Sequence, residues 1–136
     1  MKILIDTNVI LDVLWKRQSF YEHSINVFRT CEIELFDGYI SALDVADIIY
    51  IMRKQLNAED IEKTIVLLKN AFHIVDLTDD ILMSAALRRD KDFEDAVQIE
   101  TAREVGASYI ITNNLKHFTN SDIPCIPPKD IYKLLD

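Results

Sequence analysis

The stretch Lys2-Ile3-Leu4-Ile5-Asp6-Thr7-Asn8 decides the architecture of this chain. Ile3-Leu4-Ile5 is a continuous apolar run, β-branched at two of its three positions, and reads as a strand buried on both faces of a parallel sheet. From Thr7 to Trp15 the apolar residues Val9, Ile10, Val13 and Leu14 fall at helical spacing, with Asp6 where an N-cap belongs. A strand that runs straight into a helix is the first half of a βαβ unit.

The rest of the chain repeats that alternation. A second helix is predicted from about Phe20 to Cys31, with Ile25, Val27 and Phe28 inward, and Tyr39-Ile40 forms a short second strand. Ser41 and Asp44 have the S-x-x-D spacing of a capping box, with Asp44 as the partner of Ser41. The helix after them carries Val45, Ala46, Ile48, Ile49 and Met52 and is predicted to end near Leu56-Asn57. Asn57 caps a helix from Ala58 to Phe72 that is amphipathic through Ile61, Ile65, Leu68 and Phe72. His73–Leu77 alternates as a third strand, and Asp79 is the expected cap of the helix through Ile81, Leu82 and Ala85. After the charged break Arg88–Asp92, a helix runs from Phe93 to Val105 and stops at Gly106. Ser108–Thr112 is the fourth strand, Ile123–Ile126 an edge strand where Pro124 is tolerated, and Pro127-Pro128 opens a last short helix toward Leu135. Strands separated by helices predict one α/β domain over 1–136, with a central parallel sheet of four to five strands between helical layers.

Composition narrows the class. A chain of 136 residues with 49% hydrophobic content can bury a real core, and only 2 Gly and 3 Pro argue against a turn-rich β-sandwich. Lys and Arg number 15 against 23 Asp and Glu, a net charge of −8. That balance opposes passive, salt-driven coating of nucleic acid. Cys31 and Cys125 stand far apart without a CxxC and read as buried or incidental thiols of a reducing compartment. The first apolar run meets Asp6 too early for a secretory signal, and no run is long enough to span a bilayer. A soluble, cytoplasmic protein is expected.

Ligand sites of open parallel sheets gather at the carboxyl ends of the strands. Those ends carry Asp6-Thr7-Asn8, then Ser41 leading to Asp44 and Asp47, and Thr112-Asn113-Asn114, while Asp95 opens the helix feeding the fourth strand. No glycine-rich phosphate loop, nucleophile elbow or HExxH is available. What remains is a set of carboxylates, and gathered carboxylates need a cation or raised pKa values. All-oxygen ligands favour Mg²⁺ or Mn²⁺, the cations of metal-assisted phosphodiester chemistry. Plainer roles compete. Asp6 suits an N-cap, Asp92 can cap the helix in whose first turn Asp95 lies, and Asp12 reads as a solvated surface residue. Asp47 lies inside an apolar helical run where aspartate is a poor helix former, which favours a functional role.

Ile3 to Asp12, Tyr39-Ile40-Ser41 with its acid-bearing helix, Asp92 to Gln98, and Tyr109 to Phe118 together resemble the PIN-domain ribonucleases, in order and over nearly the whole chain. Small members of that family include the VapC-type toxins of toxin–antitoxin pairs. The resemblance implies a parallel sheet flanked by helices, Mg²⁺ or Mn²⁺ held by acids at the strand ends, RNA as substrate, a homodimer and an antitoxin partner. It makes Asp6, Asp47 and Asp95 the metal ligands, with Asp47 where most members have glutamate and Asn114 where many have a fourth acid. Asn8 and Thr112 would orient carboxylates, and Lys16, Arg17, Lys116 and His117 would meet RNA backbone, with Arg88, Arg89 and Lys91 behind them. Tyr21, Tyr50 and Ile51 are candidates for a protein interface.

The departures at Asp47 and Asn114 leave a second reading open, a PIN-like module that binds RNA or protein without cutting. A phospho-acceptor receiver domain fits poorly, because only Asp6 ends the first strand and Asp76 has no lysine-bearing strand end to serve it.

Overall fold

In the computed structural model, which describes residues 1–135, five parallel strands form one sheet in the order β3-β2-β1-β4-β5. The strands are β1 (Lys2–Ile5), β2 (Asp37–Ser41), β3 (His73–Val75), β4 (Tyr109–Ile111) and β5 (Cys125–Ile126). The helices are α1 (Thr7–Leu14), α2 (Tyr21–Glu32), α3 (Ala42–Ile51), α4 (Ala58–Ala71), α5 (Asp79–Leu87) and α6 (Phe93–Val105), with 3₁₀ turns at Leu115–Phe118 and Pro128–Leu134.

Alternation along the central strands explains the layers. Ile3 and Ile5 of β1, Ile40 of β2 and Ile111 of β4 face the core shared with α1, α2 and α4. Leu4 and Ile110 point the other way, onto Ile99 and Ala102 of α6. The central strands are therefore apolar on both faces, as buried parallel strands must be. β1 pairs with both β2 and β4, with Leu4 opposite Tyr39 and Ile110. The chain thus reverses its direction of travel across the sheet beside β1, and crevices of parallel sheets open where strand order reverses.

Several boundaries differ from those expected. α3 ends at Ile51 rather than near Leu56, and just past its end Arg53 donates to the freed Tyr50 carbonyl at 2.8 Å and covers the Tyr50 ring. β3 stops at Val75. Thr78, not Asp79, caps α5 through its hydroxyl, which accepts from Ile81 N–H. The last segment is a 3₁₀ turn. Asn57 and Asp60 close a full capping box on α4. Gly106 ends α6 in the left-handed conformation, φ 74°, which favours a residue without a side chain.

Gly38 is required for a different reason. A Cβ there would lie 2.6 Å from Cys31 Sγ and 2.8 Å from Phe72 Cδ1, inside the α2–β2 packing. Gly38→Ala is expected to lower stability by about 1–3 kcal/mol, as overpacked cores do, read as the denaturant midpoint at unchanged slope. The buried Cys31 thiol, pushed up to about 12 by burial, is a packing group here and not a nucleophile.

Candidate active site

The ends of β1 and β2, the starts of α1, α3 and α6, and the loop after β4 enclose a cleft of about 220 Å³. Its walls carry Asp6, Asp44, Asp47, Glu94, Asp95, Gln98, Asn114 and His117, with Thr7, Asn8, Leu11, Leu43 and Ile51 between them. Tight strand-to-helix junctions put them there. Asp6 leaves β1 and caps α1, its Oδ1 accepting from Thr7 N–H at 2.8 Å. Ser41 leaves β2 and caps α3 through Leu43 N–H. Asp92 caps α6 by accepting from Asp95 N–H, which sets Asp95 in the first turn.

Asp6 is the most thoroughly held of these groups. Oδ2 accepts from Thr112 Oγ1 at 2.7 Å and from Asn8 Nδ2 at 3.0 Å, and Gln98 Nε2 donates to Oδ1 at 3.2 Å. Burial pushes its carboxyl up, against the pull of those three donors and of Thr7 N–H. Asn114 N–H in turn donates to Thr112 Oγ1 at 2.9 Å, tying the loop after β4 to the same carboxylate.

Asp44 departs from its expected role. It does not return to Ser41 as a capping partner but lies 2% exposed beneath the cleft, where Gln98 Nε2 donates to both its oxygens at 2.9 Å. Burial first, then the charges of Asp6 and Asp47, raise its carboxyl to about 7, although Gln98 and Thr7 pull the other way. Asp47 lies one helical turn on from Asp44, half-buried on the same face of α3. Glu94 lines the wall opposite, raised by burial and by Asp47 beside it. Asp95 is raised to about 6 by burial and by Asp92, against the pull of His117, whose Nδ1 stands 3.6 Å away.

The other expected residues divide. Lys116 and His117 line a neighbouring groove of about 440 Å³ that also touches Lys91, Asp92 and Asp95. Lys16 faces a separate surface groove with Gln18, Ser19 and His23. Arg17 is spent on Asp12 at 3.3 Å. Arg88 is bound to Asp90, Glu100 and the Asn120 carbonyl and so braces the loop there. Asp12 is 1% exposed, the opposite of a solvated residue. Tyr50 and Ile51 are exposed as expected, whereas Tyr21 is half-buried against the core.

The residues that sequence reasoning left out of the site are Asp44, Glu94 and Gln98. Spacing held a signal for them, since Asp44 and Asp47 are three apart on α3, and Glu94 and Gln98 four apart on α6. Among the described residues, no three His, Cys, Asp or Glu side chains stand as a preformed metal-binding group. The donor chemistry nevertheless fits a hard cation. The cleft is lined chiefly by carboxylate and amide oxygens, and Gln98 Oε1 is buried without a hydrogen-bond partner. A cation among these carboxylates would offset both the cost of burying them and their mutual repulsion.

A sequence model of the PIN domain matches residues 2–116 of the chain. Ribonuclease VapC1 of Aquifex aeolicus (strain VF5) is 24% identical over 133 residues, spanning 95% of this chain and 92% of that protein. A toxin–antitoxin complex from Klebsiella pneumoniae superposes with a TM-score of 0.70 at 22% identity, covering 93% of this chain and 97% of that one. VapBC2 of Rickettsia felis, solved bound to a DNA fragment from its promoter, superposes with a TM-score of 0.71 at 16% identity, covering 93% and 98%. At such identities the structural likeness speaks for the fold.

Proposed function

The chain belongs to the PIN domain family, and on that premise we propose that it hydrolyses RNA phosphodiester bonds using Mg²⁺ or Mn²⁺ held in the acidic cleft. One observation carries the reading. Five carboxylates from distant parts of the sequence, Asp6, Asp44, Asp47, Glu94 and Asp95, line a single cleft at the carboxyl ends of a parallel sheet. A fold does not gather like charges there without something to offset them.

Asp6, Asp47 and Asp95 would hold the cation, with Asp44 behind Asp6 and Asn114 offering a neutral oxygen at the rim. A divalent cation in such a site supplies a nucleophilic water at neutral pH and offsets charge on the phosphoryl oxygens. The protein's own part is placement. Thr112 and Asn8 fix one oxygen of Asp6, so its other edge is turned toward Gln98 and the cleft. Asp92 fixes the turn that carries Asp95. Lys116 and His117, both exposed, lie where an RNA backbone leaving the cleft would pass. The net charge of −8 is concentrated in part on this cleft, so a loaded site with a small basic rim is compatible with RNA as substrate.

The toxin–antitoxin relatives support the further proposal that this is the toxin of such a pair, acting in the cytoplasm as a homodimer and held by an antitoxin. Tyr50 and Ile51, 64% and 42% exposed beside the cleft, are the residues we assign to a protein interface. No helix among the described residues is long and apolar enough to cross a membrane. One observation favours the second reading, binding without cleavage: the Gln98 amide already donates to both Asp6 and Asp44.

Metal removal separates the two. Stripping with a chelator should reduce cleavage of single-stranded RNA to background, and Mn²⁺ added in excess should restore it. Cleavage that persists in rigorously stripped protein overturns the metal proposal. A preparation that binds Mn²⁺ or RNA yet never cuts favours the binding module.

A further inference from the structure

We propose that Asp12, outside the cleft, is a positioning residue that fixes the Asn113–Asn114 loop against Asp6 and thereby sets the affinity of the cleft for its divalent cation. This rests on the metal proposal above. Asp12 lies in the interior of α1 and is 1% exposed, an expensive place for a charge in a helix whose neighbours are apolar. Its donors come from different parts of the fold. Ser24 Oγ on α2 donates to Oδ2 at 3.0 Å, Asn113 Nδ2 from the loop after β4 donates to the same oxygen, and Arg17 Nη1 donates to Oδ1 at 3.3 Å.

From Asn113 the connection continues to the site. Asn113 N–H donates to Asn8 Oδ1 at 3.2 Å, and Asn8 Nδ2 donates to Asp6 Oδ2 at 3.0 Å. The next residue, Asn114, donates its N–H to Thr112 Oγ1, which donates to the same Asp6 oxygen at 2.7 Å. Both groups that orient Asp6 Oδ2 are thus anchored in one short loop, and a buried anion holds that loop down. Ser24 shares Oδ2 of Asp12 with Asn113 and Arg17 takes Oδ1, so both stabilise Asp12 without lying on the route to Asp6.

Asp12→Asn keeps the shape but removes the charge, and its N–H₂ must face either Arg17 or the Asn113 and Ser24 pair, so Asn113 loses its carboxylate partner either way. Mn²⁺ binding measured by calorimetry, well below the melting midpoint, should weaken about tenfold, as with other groups that orient metal ligands indirectly. Adding Asn113→Asp restores one donor and one acceptor to the pair and should return affinity to within about threefold of wild type. Ser24→Ala should lower the melting midpoint while leaving Mn²⁺ affinity within about twofold.

Unchanged affinity in Asp12→Asn, a double variant no better than the single one, or an equal loss in Ser24→Ala each overturns the proposal. Should Asp12→Asn fail to fold, Asn113→Ala asks the same from the other end, and wild-type affinity there overturns it too. Wild-type protein that binds no Mn²⁺ defeats the metal reading itself. Wild-type binding with unaltered variants defeats only the role of Asp12.

Discussion

Asp6→Asn is expected to lower RNA cleavage by about 10²–10³-fold while the protein remains folded. Both oxygens of Asp6 accept from donors, Oδ1 from Thr7 N–H and Gln98, Oδ2 from Thr112 and Asn8. An asparagine can satisfy one side only, so its N–H₂ must face donors on the other. That loss is offset by relief of a buried charge already raised by desolvation, and the melting midpoint should move little. Removal of the charge, by contrast, takes away the carboxylate proposed to hold the cation, which β1 carries and Thr112 after β4 orients. Asp95→Asn should act in the same direction. Rates with Mn²⁺ present, alongside calorimetric Mn²⁺ titration, test both, and undiminished cleavage by either clean variant would sink the proposed mechanism.

Asp44→Asn should have opposite effects on stability and on function. The Asp44 carboxyl stands at about 7 in the folded metal-free protein against 3.8 for the ordinary group, chiefly through burial. The folded state therefore binds this proton more tightly than the unfolded one. Stability from this group is fully present below about pH 4 and is lost as pH rises toward about 7. Above that, the buried charge costs on the order of 4 kcal/mol. Asn keeps an oxygen for Gln98 and carries no charge. Metal-free Asp44→Asn is thus expected to melt several degrees above wild type at pH 7.5, with the difference shrinking toward pH 4. Mn²⁺ should stabilise the variant less than wild type, since a neutral side chain contributes nothing to offsetting the cation. A variant that melts below wild type at pH 7.5 refutes this account of Asp44.

Much of the fold was legible. A short β-branched run followed at once by helical periodicity marked β1, a second such run ahead of a polar loop marked β4, and Gly106 marked the end of α6, because each signal is local and each competes with little else. The end of α3 was not, since no glycine or proline announces it and the carbonyl it frees is met by the Arg53 side chain. Asp6, Asp47, Asp95 and Asn114 stood out from sequence as strand-end or out-of-place polar residues, and all of them line the cleft. Asp44 was hidden by a plausible local use, the capping of Ser41. Asp12 was hidden by the opposite mistake, because a helical aspartate defaults to solvent when nothing in the sequence says which helix covers it.

The distinction is one of range. Sequence alone determined the elements, their parallel alternation and the acids at the strand ends, because hydrophobic period and caps act over a few residues. Only the tertiary structure decided which carboxylates are buried and what holds them. Gln98 reaches Asp6 and Asp44 across separations of 92 and 54 residues. Asn113 reaches Asp12 across 101. Burial and long-range hydrogen bonds set the charge state of a carboxylate, and neither exists until the sheet has brought β1, β2 and β4 side by side.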